Sequence, residues 1–343
     1  MSGAMKCGIL IPAYNPDERL ISLAKKLEDF QIIVVNDGSD DPELFSRLRK
    51  VTGVTVLTHP ENRGKGAALK TGFRYMLEMG FTHAVTADAD GQHSPEDIRR
   101  IVEITMTRPE QLILGVRELS QMPLRSRAGN RLTCLLFRSM YGVSLTDTQT
   151  GLRGLPLKEA LLSLAGERYE YETELLIHTG ELFPAGIFEL PIATIYSEHN
   201  ESSHFRPIQD GLRIYAILFR SLPKFLLVSL LSFGLDYLLF LLLYYRVLHG
   251  AETATVLARL CSGSFNYLCN SRLVFSGKGT RYTAKNYLLL ACGLLLANVA
   301  LAHLFITILG LPAAAVKLCV ECTLYFVSFL VQSRLANRRT DRK

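Results

Sequence analysis

The densest chemical potential in the chain lies in Asp88-Ala89-Asp90-Gly91-Gln92-His93. Two carboxylates with one residue between them, and an amide oxygen two positions on, make an oxygen donor set for a hard cation. Mg2+ or Mn2+ held by Asp88, Asp90 and Gln92 keeps coordination positions open for a diphosphate. Isolated Asp pairs are common on solvated surfaces. Here the apolar run His83-Ala84-Val85-Thr86-Ala87 precedes the pair and the helix start Ser94-Pro95-Glu96-Asp97 follows it, so the carboxylates stand at a strand end.

Two further stretches bear on the same chemistry. Pro12-Ala13-Tyr14-Asn15-Pro16, taken with Asn36-Asp37-Gly38-Ser39-Asp40-Asp41, places a carboxylate where a nucleoside can be read. Asp37 would accept from a base N–H, or cap its own turn with Gly38 and Ser39. Asn62-Arg63-Gly64-Lys65-Gly66, ahead of a helix, offers backbone N–H groups and the Lys65 cation to phosphate. No Ser or Thr follows that lysine, which argues against a P-loop ATPase.

These residues need a sheet whose strands end beneath them. Apolar runs at Gly8 to Ala13, Ile32 to Val35, Val54 to Leu57, Ala84 to Thr86 and Leu112 to Val116 alternate with helical stretches. Asn15 is expected to cap the first helix with Pro16 at its first position, and Asp41-Pro42 opens the second. Helices follow over about Gly66 to Met79 and Pro95 to Met106. The alternation predicts a mostly parallel sheet with helices on both faces, which binds ligands beyond the carboxyl ends of its strands. Asp37, Asn62, Asp88 and Arg117 all fall just after strands and should converge on one edge. Beyond Arg125 a helix to Tyr141, a loop over Thr146 to Arg153, a helix over about Tyr171 to Leu182 and an extended stretch from Phe188 to Tyr196 are expected.

At 343 residues the chain allows two domains, and composition divides it near Ser221. Residues 1–204 read as a soluble domain and 205–222 as an amphipathic helix lying on a bilayer or, alternatively, facing a core. Residues 223–343 read as a membrane domain with spans at about 225–245, 254–273, 287–309 and 313–332. Ile9-Leu10-Ile11 is too short an apolar run for a secretory leader. Basic residues crowd the loop holding Arg272, Lys278, Arg281 and Lys285 and the tail holding Arg334, Arg338, Arg339, Arg342 and Lys343. Both termini and the first domain are therefore expected in the cytoplasm. The net charge of +6 sits beside apolar spans, which suits an anionic lipid surface better than nucleic acid. Seven scattered cysteines argue against a disulfide framework, and Cys319-Val-Glu-Cys322 lacks a second pair for a metal site. Within the spans, Asp236, Arg259, Asn266, Asn270, Lys317 and Glu321 should face the bundle interior or snorkel. Lys317 and Glu321, four apart, can pair with each other or take part in lipid handling.

Taken together and in order, Ile11-Pro12-Ala13-Tyr14-Asn15, Val35-Asn36-Asp37-Gly38-Ser39, Asn62-Arg63-Gly64-Lys65-Gly66, Asp88-Ala89-Asp90-Gly91-Gln92-His93 and Asp147-Thr148-Gln149-Thr150-Gly151-Leu152-Arg153 closely resemble the family 2 glycosyltransferases of the dolichyl-phosphate mannosyltransferase and polyprenyl-phosphate glycosyltransferase type. The C-terminal part resembles a GtrA-like four-helix membrane domain through Arg259, Asn266, Asn270, Arg272 and Val274-Phe275. The resemblance implies a Rossmann-like α/β GT-A fold, a nucleotide-diphosphate sugar donor and a membrane polyprenyl phosphate acceptor. It implies that Pro12, Ala13, Tyr14 and Asp37 line the nucleoside pocket, and that Asp88, Asp90 and Gln92 hold metal and diphosphate. It further implies that Arg117 and Arg131 hold the acceptor phosphate and that Arg206, in Ser202-Ser203-His204-Phe205-Arg206, reaches the donor diphosphate. Many relatives carry glutamate after Tyr-Asn, where this chain has Pro16-Asp17, and aspartate where it has Asn36.

The implied reaction is attack by a lipid phosphate oxygen on the anomeric carbon, in line with the departing nucleoside diphosphate, with inversion. Phosphate at pH 7 is already anionic, so no strong general base is needed. Glu172 and Glu174 are available as a base, but carboxylates are favoured at a helix N-terminus in any case. Asp147 and Arg153 either shape the sugar pocket or pair with each other; Arg125, Arg127 and Arg138 read as membrane-facing or solvated charges. A processive polysaccharide synthase would need a Gln-x-x-Arg-Trp segment, and the chain contains no tryptophan. A lipid-linked sugar carrier or flippase with a nucleotide-sugar-binding domain is the alternative from another class, and turnover separates the two. The membrane domain is expected to anchor the enzyme and position the lipid, with a homo-oligomer possible.

Overall fold

The computed structural model describes residues 5–122, 124–193, 206–248, 251–275 and 282–337. They fall into two compact units, Met1–Leu135 with Ser144–Leu218 and Leu136–Val143 with Phe219–Lys343.

The first unit is built on one seven-stranded sheet. Its strands are β1 (Cys7–Ala13), β2 (Ile32–Asp37), β3 (Val54–His59), β4 (His83–Thr86), β5 (Leu112–Arg117), β6 (Arg153–Pro156) and β7 (Ile187–Ile192), in the order β3-β2-β1-β4-β6-β5-β7. All neighbours are parallel except β6, which runs antiparallel to both β4 and β5. Runs such as Ile9-Leu10-Ile11 and Ile32-Ile33-Val34-Val35 lack alternation because both faces of the sheet are covered. Ile9, Ile11, Ile32 and Val34 pack with α1 (Glu18–Lys26), α2 (Pro42–Leu48) and, through Ile98 and Ile101, α4 (Pro95–Thr107). Leu10 points the other way, toward Gly72 of α3 (Lys65–Glu78). The expected parallel α/β architecture is thus present, with one strand that local sequence does not announce.

Other boundaries differ for physical reasons. Asp17, not Asn15, caps α1, its carboxylate accepting from Arg19 N–H at 2.9 Å. Asn15 instead makes a left-handed turn (φ 44°), donates its N–H to Ser39 Oγ and its Nδ2–H to the Asp40 carboxylate, and accepts the Asp40 backbone N–H at Oδ1. After α5 (Leu124–Tyr141), the expected 171–182 helix divides at His178 into α6 (Glu170–Ile177) and α7 (Thr179–Leu182). The last strand stops at Ile192, and Tyr196 lies outside the described residues, as do Ser202 to Phe205. α8 (Pro207–Leu218) buries Asp210, Ile214 and Leu218 while Ile208 and Leu212 stay exposed, so one apolar side is covered and another is open.

The second unit contains α9 (Leu222–Leu242), α10 (Ala251–Cys269), α11 (Ala284–Ala302) and α12 (Ala313–Asn337), the first three each extended by a wider final stretch. Its core is aromatic, with Phe225, Phe275, Tyr282 and Phe329 packed together. Among the described residues three segments are long and apolar enough to cross a membrane: Leu222–Val247, Ala284–Ile308 and Ala313–Asn337. The expected span at 254–273 is not one of them, because Arg259, Ser262, Ser264 and Asn266 dilute it. Some of these polar groups are satisfied inside the unit: Asn266 donates to Ser232 Oγ, Ser262 donates to Asp236, and the fully buried Asn270 donates to Asn266 Oδ1. Lys317 and Glu321 do pair with each other, at 2.7 Å, and both also bond Asn298, on an exposed face rather than inside. Lys278, Arg281, Arg338, Arg339, Arg342 and Lys343 lie outside the described residues.

Candidate active site

Strand order reverses at β1, which has β2 on one side and β4 on the other; such switch points open a crevice at the carboxyl ends of the strands. The antiparallel β6 adds to this edge. Thr86, at the end of β4, lies opposite Arg153, at the start of β6, so the 147–152 loop arrives where β4 delivers Asp88. Thr86 Oγ1 donates to the Gly151 carbonyl at 2.7 Å and locks the two together. Asp88 then lies directly on Gly151: a Cβ there would stand 2.3 Å from Asp88 Oδ2.

Opposite charges crowd together at this edge. Lys65, the first residue of α3, places its ammonium 2.6 Å from Asp88 Oδ1 and 3.0 Å from Glu172 Oε1, and 5.7 Å from the centre of the Tyr169 ring. Burial would lower the Lys65 pKa, but Asp88 and Glu172 hold it above the ordinary lysine range. Burial would raise Asp88, yet Lys65 and the buried His93, 3.3 Å away, hold it far below the usual carboxylate range. Asp90 moves the other way, pushed up by burial and by the charge of Asp88. Gln92 reaches Asp90 through its backbone N–H, at 3.0 Å.

A divalent cation fits this donor set. Asp88 and Asp90 bring two carboxylates to one strand end, burial and the charge of Asp88 both disfavour a bare Asp90 carboxylate, and a hard cation would offset both costs. Among the described residues no group of three or more His, Cys, Asp or Glu side chains is placed to hold a metal ion.

The nucleoside-side residues are partly committed to architecture. Pro12 and Tyr14 are half-buried and Ala13 is buried at the end of β1. Asp37 is 3% exposed; its carboxylate accepts from the backbone N–H groups of Arg63 (3.0 Å) and Gly64 (2.7 Å) and contacts His59 Nδ1 (2.7 Å). Ala67 N–H donates to the Glu167 carbonyl. Of the amides in the Asn62 to Gly66 stretch expected to meet phosphate, those of Arg63 and Gly64 are therefore satisfied within the protein by Asp37, and the Lys65 ammonium lies on Asp88 and Glu172.

Arg117 and Asp147, expected in different roles, form a bidentate pair: Nε to Oδ2 at 2.7 Å and Nη2 to Oδ1 at 3.0 Å, with Asp147 fully buried. Arg153 is buried too, but donates to the carbonyls of Thr148, Thr150 and Glu172, so the mutual Asp147–Arg153 pair does not form. Arg131 stands exposed on α5, and Arg206 stands exposed ahead of α8, its N–H donating to Asp210. Arg127 donates to the Ser120 and Met122 carbonyls rather than standing solvated. Glu174 is buried, and its carboxylate accepts from the Gly166 N–H at 2.8 Å. The Lys65–Glu172 contact and the Asp88–Gly151 approach went unseen in the sequence; only the glycine inside Asp147 to Arg153 hinted at the second.

Residues 9–153 match Glycosyl transferase family 2, and residues 224–337 match the GtrA/DPMS transmembrane domain. The UDP-N-acetylglucosamine–dolichyl-phosphate N-acetylglucosaminyltransferase of Methanococcus voltae is 32% identical over 218 residues, 56% of this chain and 86% of that protein. The undecaprenyl-phosphate mannosyltransferase of Micrococcus luteus is 29% identical over 214 residues, 58% of this chain and 87% of that protein. Glucosyl-3-phosphoglycerate synthase from Mycobacterium tuberculosis, solved with Mn2+, UDP-glucose and phosphoglyceric acid, has a TM-score of 0.50 at 20% identity, covering 63% of this chain and 79% of that chain, and shares the fold. The chain belongs to the family 2 glycosyltransferases and carries a GtrA/DPMS membrane domain after its catalytic unit.

Proposed function

We propose that the protein transfers a hexose from a nucleotide-diphosphate sugar to a membrane polyprenyl phosphate, with inversion and with a divalent cation at Asp88 and Asp90. The observation that carries the reading is this carboxylate pair, set over Gly151 at the sheet's switch point, in a chain that continues into apolar helices. The two relatives are named for dolichyl- and undecaprenyl-phosphate acceptors, and the shared-fold synthase holds Mn2+ with a nucleotide sugar.

Each group then has a task. Pro12, Ala13 and Tyr14 form the nucleoside wall, and Asp37 fixes the neighbouring loop through its amides. Lys65 and Arg206 supply positive charge to the donor diphosphate. Arg117, oriented by Asp147, and Arg131 hold the acceptor phosphate, whose oxygen attacks the anomeric carbon. Arg153 shapes the sugar pocket indirectly, by fixing the 148–150 carbonyls. The bound cation supplies neutralisation of charge on the leaving diphosphate. Since the nucleophile is already an anion, catalysis rests on positioning and on electrostatic stabilisation. We further assign four spans, α10 included, with both termini and the catalytic unit in the cytoplasm.

The test is to incubate membranes holding the protein with polyprenyl phosphate, Mn2+ and a panel of nucleotide sugars, and to weigh the lipid products. One sugar should yield a polyprenyl-phosphate glycoside, and Asp90→Ala should abolish its formation. Product formed by Asp90→Ala, or by no donor with the intact chain, would refute the assignment.

A further inference from the structure

The Lys65 ammonium is shared between two carboxylates of different standing. Asp88 belongs to the donor set; Glu172, in the first turn of α6, does not. Glu172 is 7% exposed, its carbonyl is fixed by Arg153 Nη1 at 2.8 Å, and its Oε1 is buried with no hydrogen-bond partner, lying only within ion-pair distance of Lys65. A buried carboxylate oxygen left in that state is costly unless a second arrangement satisfies it. The two contacts of Lys65, 2.6 Å and 3.0 Å, make that second arrangement a small movement of one flexible side chain.

We infer that Lys65 is an internal counter-ion that occupies Asp88 until a divalent cation is held there, and that Glu172 is the positioning residue that receives the displaced ammonium. This rests on the metal reading of Asp88 and Asp90. Lys65 on Glu172 remains within the same edge, so the lysine keeps its charge near the diphosphate. Glu172 therefore lowers the cost of loading the site: without it, Lys65 has no alternative partner and competes for Asp88 more strongly.

The experiment is Mn2+ binding to the purified full chain, followed by the electron paramagnetic resonance signal of free Mn2+, in a double-mutant cycle. Lys65→Met should tighten binding about tenfold, because the competing state is gone. Glu172→Gln should weaken it several-fold, and Glu172→Asp should restore much of the loss. The decisive variant is the double one: with Lys65→Met present, Glu172→Gln should change nothing, whereas simple long-range electrostatics would give additive effects. Additivity, or a Lys65→Met affinity equal to that of the intact chain, overturns the exchange while leaving the metal site standing. Asp90→Ala separates the two ideas. If the intact chain binds Mn2+ no better than Asp90→Ala, the metal reading falls and the exchange falls with it.

Discussion

Gly151 is the residue on which the candidate site is most exposed to a single change. Its Cβ position lies 2.3 Å and 2.5 Å from the two Asp88 oxygens, so Gly151→Ala must move the carboxylate or the loop. Turnover should fall about a hundredfold, as expected for a displacement near 1 Å, while circular dichroism stays unchanged. Arg117→Ala acts differently, because it leaves the fully buried Asp147 without its fork; unfolding should become easier by about 3 kcal/mol in a urea titration. A loss of acceptor use in that variant must therefore be read alongside its stability. Asp88 and Asp90 were legible in the sequence because one short stretch supplies both. The partners of Arg117 and Lys65 were not, because Asp147 and Glu172 lie far away in the sequence, and Asp147 with Arg153 looked like a natural pair only through nearness in the chain. Cys7 shows the same dependence on surroundings: burial pushes its thiol up to about 12, so it should resist alkylation by N-ethylmaleimide at pH 8 in the native protein.

Helix starts were readable where one signal stood alone. Ser94-Pro95 opens α4 as expected, with Ser94 Oγ accepting from Asp97 N–H at 3.0 Å. Asn15-Pro16-Asp17 offers two overlapping caps, and contacts with Ser39 and Asp40 drew Asn15 into a turn. β6 escaped notice because Arg153-Gly154-Leu155-Pro156 has little strand propensity; its place is made by β4 and β5 on either side. The α4 cap can be tested in two steps. Ser94→Ala should cost about 1 kcal/mol. Asp97→Ala should cost more, about 2 to 3 kcal/mol, because its buried Oδ2 also accepts from Ala193 N–H at 2.8 Å and so ties α4 to the end of β7. Thermal unfolding of the two variants should show that order.

For the whole molecule, the division into a sheet-based unit and a helical unit was legible from composition, since apolar runs and charge-rich stretches hardly mix. The number of spans is less plain, because α10 is diluted by polar residues such as Asn266 and Ser262, whose side chains hydrogen-bond within their own unit, and is not among the three segments apolar enough to cross a membrane. Four spans place Lys285 on the side of the catalytic unit and Leu311 on the opposite side; three spans reverse both. Lys285→Cys and Leu311→Cys, in a background freed of other cysteines, should label with a membrane-impermeant maleimide from the cytoplasmic and the outer side respectively. The antiparallel β6 also sets a clock on synthesis. Asp88 leaves the ribosome before Gly151 and Arg153 exist, and at about 5–20 residues per second the gap lasts roughly three to thirteen seconds. During that interval β1 to β4 are complete in the chain while the floor under Asp88 is missing, so the newborn protein has most of its parallel sheet before it has a working edge.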